Sequence, residues 1–206
     1  VGFGMIIRLL LRVLVALFIL FVGLILVKVV LESAGNGSKG EEVKKQEERL
    51  GVALNWKIFH SIIGNFKMAV PGEFHHESEE IPLTDIEAVT KYDTYITENI
   101  DDVTYMVTVV RYPPEVRIMN SEEMLEKVMN EIINADQDNE LKAYYMVTFD
   151  DMHPALDFII QNKKMQTEYR GMLAFHTLYL LSVSSDMPKL KQGEFTNFID
   201  SFRFID

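Results

Sequence analysis

Five histidines, His60, His75, His76, His153 and His176, are the side chains best suited to metal or acid–base chemistry. The densest group is His75-His76-Glu77 with Glu79 and Glu80 close behind. In an extended chain, neighbours point to opposite sides, so these residues do not converge on one ion, and the group reads as exposed surface. Ser184, Ser185 and Asp186 have the types used in nucleophilic catalysis, but no Gly-x-Ser-x-Gly elbow presents a serine, and they read as a strand-ending turn. Asp136-Gln137-Asp138-Asn139-Glu140 begins like a calcium loop. Leu141 then occupies the place of the sixth-position glycine and Val147 that of the bidentate glutamate, leaving an acidic turn behind a helix. Gly35, Gly37 and Gly40 match Gly-x-Gly-x-x-Gly without the preceding strand that a pyrophosphate site requires. Asn36-Gly37-Ser38 matches a glycosylation sequon by pattern alone. No catalytic, cofactor-binding or metal-ligating set is assigned.

What must position any such chemistry is small. The chain has 206 residues, 48% of them apolar and 25% charged, which is room for one core and one further segment. The absence of cysteine excludes a disulfide framework, thiolate metal sites, a cysteine nucleophile and a lipoprotein anchor. A mean hydropathy of +0.06 alongside so many charges implies that the apolar residues are bunched. They gather at the start. Val13 to Val27 carries no polar side chain, and Leu9 to Leu31 makes 23 residues, about 35 Å of helix at ~1.5 Å per residue. Arg12 and Lys28 lie near opposite ends, where their heads can reach the headgroups. The expectation is a single transmembrane anchor over residues 9–31, retained rather than cleaved as a signal peptide. Residues 1–8 form a short tail, with Met5 a natural initiator. The basic residues flanking the span give no clear orientation, but a long acidic domain can be translocated, which favours an N-in anchor at the cell membrane and an extracytoplasmic domain.

Residues 32–54 read as a flexible, charged linker: Ser33 to Gly40 is rich in glycine and serine, and Glu41 to Leu50 is a charged run. Residues 55–206 form the globular domain. Removing the first 33 residues, which carry three basic side chains and one acidic, leaves a net charge of −13, which repels nucleic acid. Between Gly72 and Asp102 stand ten acidic residues against one lysine, a stretch read as a solvated acidic loop that can also face a basic partner.

Within the domain, Trp56 to Val70 reads as strand broken at Gly64-Asn65 and ended by Pro71-Gly72. Asp85 to Glu98 and Val103 to Tyr112 read as strands, the second stopped by Pro113-Pro114. Asn120 or Ser121 caps a helix in which Met124, Leu125, Val128, Met129, Ile132 and Ile133 recur at helical spacing, a methionine-bearing stripe read as core rather than ligand groove. Leu141 to Phe149 and Ala155 to Gln161 follow as strands, then Lys164 to Ser184, long enough for two strands although no Asn-Gly turn marks the reversal. Phe195, Phe198, Ile199 and Phe202 give a closing helix an apolar face. Strands, helix, consecutive strands and helix argue an α+β antiparallel sheet flanked by helices.

The Phe66 to Pro71 segment, the strand ending in Tyr112-Pro113, the central amphipathic helix, the Tyr169 to Val183 region with Leu178-Tyr179-Leu180, and Phe198-Ile199-Asp200-Ser201-Phe202-Arg203-Phe204 resemble the PsbP-like fold. That group holds the photosystem II PsbP subunit and a Ran-binding Mog protein. The resemblance covers Trp56 to Phe204 and implies an antiparallel sheet flanked by helices, in a domain that serves larger assemblies without catalysis. No residue here matches a binding motif of either member, and the membrane segment departs from both. The functional expectation is a membrane-anchored, noncatalytic module that binds or stabilises a protein assembly, with the bilayer as one partner and a protein as the other. The competing expectation is a membrane-anchored small-ligand binder or hydrolase using a pocket between the sheet and the methionine-bearing helix, with His153, His176 and Asp157 as the polar groups to test. A membrane-proximal spacer is a third.

Overall fold

Strands β1 (Lys57–Ser61) and β2 (Phe66–Val70) close as a hairpin around Gly64-Asn65. Asn65 takes φ +56°, and a Cβ on Gly64 would stand 2.6 Å from the Phe66 ring, so only glycine fits. Three strands follow as a meander, β3 (His75–Pro82), β4 (Val89–Glu98) and β5 (Thr104–Arg111). Helix α1 (Ser121–Ile133) comes next, then a second meander of β6 (Asn139–Phe149), β7 (His153–Asn162), β8 (Met165–Ala174) and β9 (Thr177–Asp186). The short helix α2 (Glu194–Asp200) leads into β10 (Arg203–Phe204). The computed structural model describes residues 56–83, 88–98, 101–118, 120–163, 165–187 and 193–205. The expected tail, membrane span and linker lie outside the described residues, among which no helix is long and apolar enough to cross a membrane.

The two meanders join where β5 pairs with β9, giving a seven-stranded antiparallel sheet in the order β3-β4-β5-β9-β8-β7-β6. A second sheet, β1-β2-β10, is also antiparallel. Strand β9 is buried on both faces, so each face needs a cover. On one face lies α1, whose Leu125, Val128, Met129 and Ile132 pack on Leu156, Phe158, Tyr169 and Leu180. On the other lie the small sheet and α2, which press Phe66, Met68, Phe198 and Phe202 onto Tyr105, Val107, Tyr179 and Leu181. The molecule is therefore a three-layer α+β sandwich.

Local chemistry sets the helix. The Asn120 side chain accepts from the backbone N–H groups of Glu122 and Glu123 at 3.0 and 3.2 Å, and those two glutamates oppose the positive end of the helix dipole. At the other end the Asn139 side chain donates to the carbonyl of Ile132 at 2.9 Å. Gly171 of β8 lets the helix approach, because a Cβ there would stand 3.2 Å from Leu125 Cδ2.

The structure corrects one reading of this region. His75 to Pro82, taken as part of a solvated acidic loop, is an eight-residue strand in continuous register with β4. Its glutamates weaken intrinsic strand preference, and pairing with β4 overrides that preference. Leu125 carries the α1 packing, so Leu125→Ala is expected to cost about 2–5 kcal/mol, read as a lowered urea midpoint with an unchanged m-value.

Candidate functional site

The edge strand β3 meets the core through a buried polar group. Asp93 of β4 has no solvent exposure. Its Oδ1 lies 2.8 Å from His76 Nε2, and its Oδ2 accepts from Arg111 of β5. The His76 ring stacks on Tyr95 with centroids 4.4 Å apart. Tyr95 Oη is 2.6 Å from Ser61 Oγ at the end of β1, and that hydroxyl also accepts from the Gly64 N–H. Arg111 Nη1 donates to the Ile63 carbonyl at 2.9 Å. One carboxylate thus links both sheets and the β1–β2 turn. Burial by itself raises the Asp93 pKa, but hydrogen bonds from His76 and Ser78 and the Arg111 charge outweigh it and hold the carboxyl below its ordinary value. Each of these bonds ties the edge strand or the β1–β2 turn to the core.

A cleft of about 230 Å³ opens elsewhere, between α2 and the β6–β8 face of the large sheet. Arg170 binds Asp157 there with two parallel bonds of 2.6 Å. The Glu168 carboxyl is pushed up by burial, against a hydrogen bond from Gln166 that pulls it down. Tyr145, Phe195, Thr196 and Asp200 also line the cleft. With Arg170 matched by Asp157, the remaining carboxylates make it acidic, and no histidine stands among its lining residues.

The sequence candidates are scattered across these features. His75 pairs with Glu77 at 3.2 Å on the outer edge, whereas His76 turns inward to Asp93. His153 packs against Phe175 and Phe204, His176 sits on the β8–β9 turn, and Asp157 is tied to Arg170, so the three polar groups considered for catalysis belong to separate surroundings. The expected pocket between sheet and α1 is instead filled by core side chains, and the cleft lies on the opposite face. Ser184, Ser185 and Asp186 lie within β9 rather than in a turn, with Ser184 Oγ 2.9 Å from Thr167 Oγ1. Asp136 does form the acidic turn, accepting from the Asp138 N–H at 2.9 Å. Among the described residues no group of three or more histidines, aspartates or glutamates could hold a metal ion. Sequence reasoning missed the Asp93–Arg111 pair, since residues 18 apart carry no local signal of contact.

Removing the Asp93 charge strands Arg111. Asp93→Asn is expected to cost about 3 kcal/mol at neutral pH. Because the folded carboxyl titrates below its unfolded value of about 4, its contribution is complete above that value and is lost as pH falls through the folded pKa. Urea melts should therefore show the gap between wild type and Asp93→Asn narrowing below about pH 4.

No family model matches the sequence, and no curated protein matches it either. Among solved structures, the solution structure of cyanobacterial PsbP (CyanoP) from Synechocystis sp. PCC 6803 is similar over 82% of this chain and 98% of that one, with 10% sequence identity and a TM-score of 0.49. That similarity carries over no fold family, residue role, ligand or partner to this chain.

Proposed function

We propose that this chain is a noncatalytic interaction module, anchored in a membrane through residues 9–31, whose acidic edge strand receives a basic segment of a protein partner. The observation that carries this reading is β3. It is the outer strand of the large sheet, and among the described residues nothing pairs with its free side. Seven of its eight residues are exposed. Edge strands of this length invite an added strand, and charge is a usual means of limiting which strand may join. Here Glu77, Glu79 and Glu80 supply that charge, which favours a basic extended segment and disfavours an acidic one. Confinement by a membrane anchor raises the local concentration of such a partner without strong intrinsic affinity. The apolar run supports the anchor, and the acidic domain beyond it supports an extracytoplasmic position at the cell membrane.

The test uses the full chain in native membranes. A photo-crosslinker at Glu79 should give one discrete adduct that disappears in Glu77→Lys/Glu80→Lys and survives Glu122→Lys/Glu123→Lys on α1. Adduct formation should also fall several-fold in high salt, since exposed charges are screened within a few ångströms at molar ionic strength. An adduct indifferent to both charge reversals would reject β3 as the docking edge. Release of the intact chain by alkaline extraction would reject the anchor. A turnover abolished by Asp157→Asn would favour a ligand-binding or hydrolytic role in the cleft beneath α2.

A further inference from the structure

The outward face of the small sheet differs in charge from the rest of the molecule. Registered pairing places His60 opposite Lys67 and Lys67 opposite Arg203, so the three side chains form one row across β1, β2 and β10. Their sequence neighbours Phe59, Phe66, Phe202 and Phe204 pack into the core, which turns the row away from the large sheet. All three are exposed, and among the described residues none is ion-paired with a carboxylate. This cationic strip belongs to a chain of net charge −11.

Beside the row, apolar side chains stand at turn tips. Ile62 and Ile63 occupy the β1–β2 turn, 89% and 62% exposed, and Phe175 occupies the β8–β9 turn, 72% exposed. The fold brings these two turns to one end of the sandwich. Phe204 touches Phe175 with ring centroids 5.8 Å apart, while the next residue, Ile205, donates its N–H to the Asn65 carbonyl at 3.3 Å. Phe175 and His176 have φ of +51° and +63°, a conformation that two-residue hairpin turns normally assign to Asn-Gly. The Phe175 ring meets His153 and Phe204 edge-on and is otherwise left in water, a costly placement for a bulky aromatic at positive φ.

We infer that this end of the domain is a docking surface for an anionic lipid bilayer, with Ile62, Ile63 and Phe175 entering the interface and His60, Lys67 and Arg203 lying against the headgroups. Isolated apolar tips on convex turns suit a fluid interface better than a shaped protein groove. Lys67 and Arg203, which make no ion pair among the described residues, supply the complementary charge to anionic headgroups. Residues 32–55, which separate the apolar run from Trp56, could extend to about 80 Å, so the tether does not prevent the tips from reaching the bilayer. Asp150 and Asp151 stand on the β6–β7 turn, which leads into His153 beside Phe175. The docking does not require residues 9–31 to be inserted, and the two ideas fail separately.

Because the chain contains no cysteine, single labels can be introduced cleanly. The full chain, carrying an environment-sensitive fluorophore on Ile62→Cys, Phe175→Cys or, as reference, Glu122→Cys, is mixed with phosphatidylcholine vesicles with and without phosphatidylglycerol. The expected result is a blue shift and protection from acrylamide at Ile62→Cys and Phe175→Cys, only when phosphatidylglycerol is present, with Glu122→Cys unchanged. Lys67→Glu/Arg203→Glu should weaken docking by at least about 30-fold, at ~1 kcal/mol for each basic residue lost, with an unchanged circular dichroism spectrum. Tips as accessible as Glu122→Cys in every vesicle would overturn the proposal, as would protection unaffected by lipid charge and by the double reversal. Protection in detergent alone that rises with protein concentration would assign the surface to a second copy. An alkaline wash that frees the chain, while neutral-pH protection persists, would remove the anchor and leave this surface standing.

Discussion

A carboxylate without solvent cannot be left unpaired, because the desolvation cost is several kcal/mol for each buried ion. Asp93 meets that requirement with three partners from two strands: His76 and Ser78 on the edge strand, and Arg111 on the strand at its other side. Arg111 then spends a further donor on the Ile63 carbonyl, and Tyr95 reaches Ser61. The position of the edge strand against the sheet, and of the small sheet over it, depends on these bonds as well as on apolar burial. A hydrophobic contact tolerates sliding, whereas a buried ion pair with several directed hydrogen bonds does not.

Around that fixed point the layers divide the work. The α1 face is conventional core, built from aliphatic side chains and the stacked Phe158 and Tyr169, whose rings lie 4.6 Å apart. The other face is more aromatic, with Phe66 stacked on Phe202 at 5.4 Å and Tyr179 against both Phe202 and Phe204. Aromatic rings cover large areas with few rotatable bonds, which suits a small three-stranded sheet that must cover half of a larger one. The consequence is that the small sheet has a filled inner side and a polar outer side. Charge is likewise segregated, with glutamates along β3 and the cations Lys67 and Arg203 on the outer side of β2 and β10.

Where periodicity is strong, the elements could be read directly. The α1 stripe from Leu125 to Ile132 has one interpretation, and Asn120 is a capping side chain wherever a helix follows it. The strands β5 to β9 were legible from runs of β-branched and aromatic residues. Strand β3 was not, since His-His-Glu-Ser-Glu-Glu has neither alternation nor strand preference and is extended only because β4 offers it hydrogen bonds. The Phe175-His176 reversal was hidden for the opposite reason, as its residues are poor turn formers held in place by pairing on both sides. The cleft escaped prediction because α2, seven residues long, could be placed on the sheet by its apolar face but not over a particular set of strands.

The amino-acid sequence alone determined the apolar run, the acidic balance, the helix α1 and the antiparallel character of the domain, because each of these follows from composition or from spacing within a few residues. Only the tertiary structure decided that Asp93 meets Arg111, that Arg170 meets Asp157 beneath α2, and that His60, Lys67 and Arg203 share a row. Contacts between residues far apart in the chain depend on strand order and register, and these are chosen by the total burial of the core rather than by any local preference.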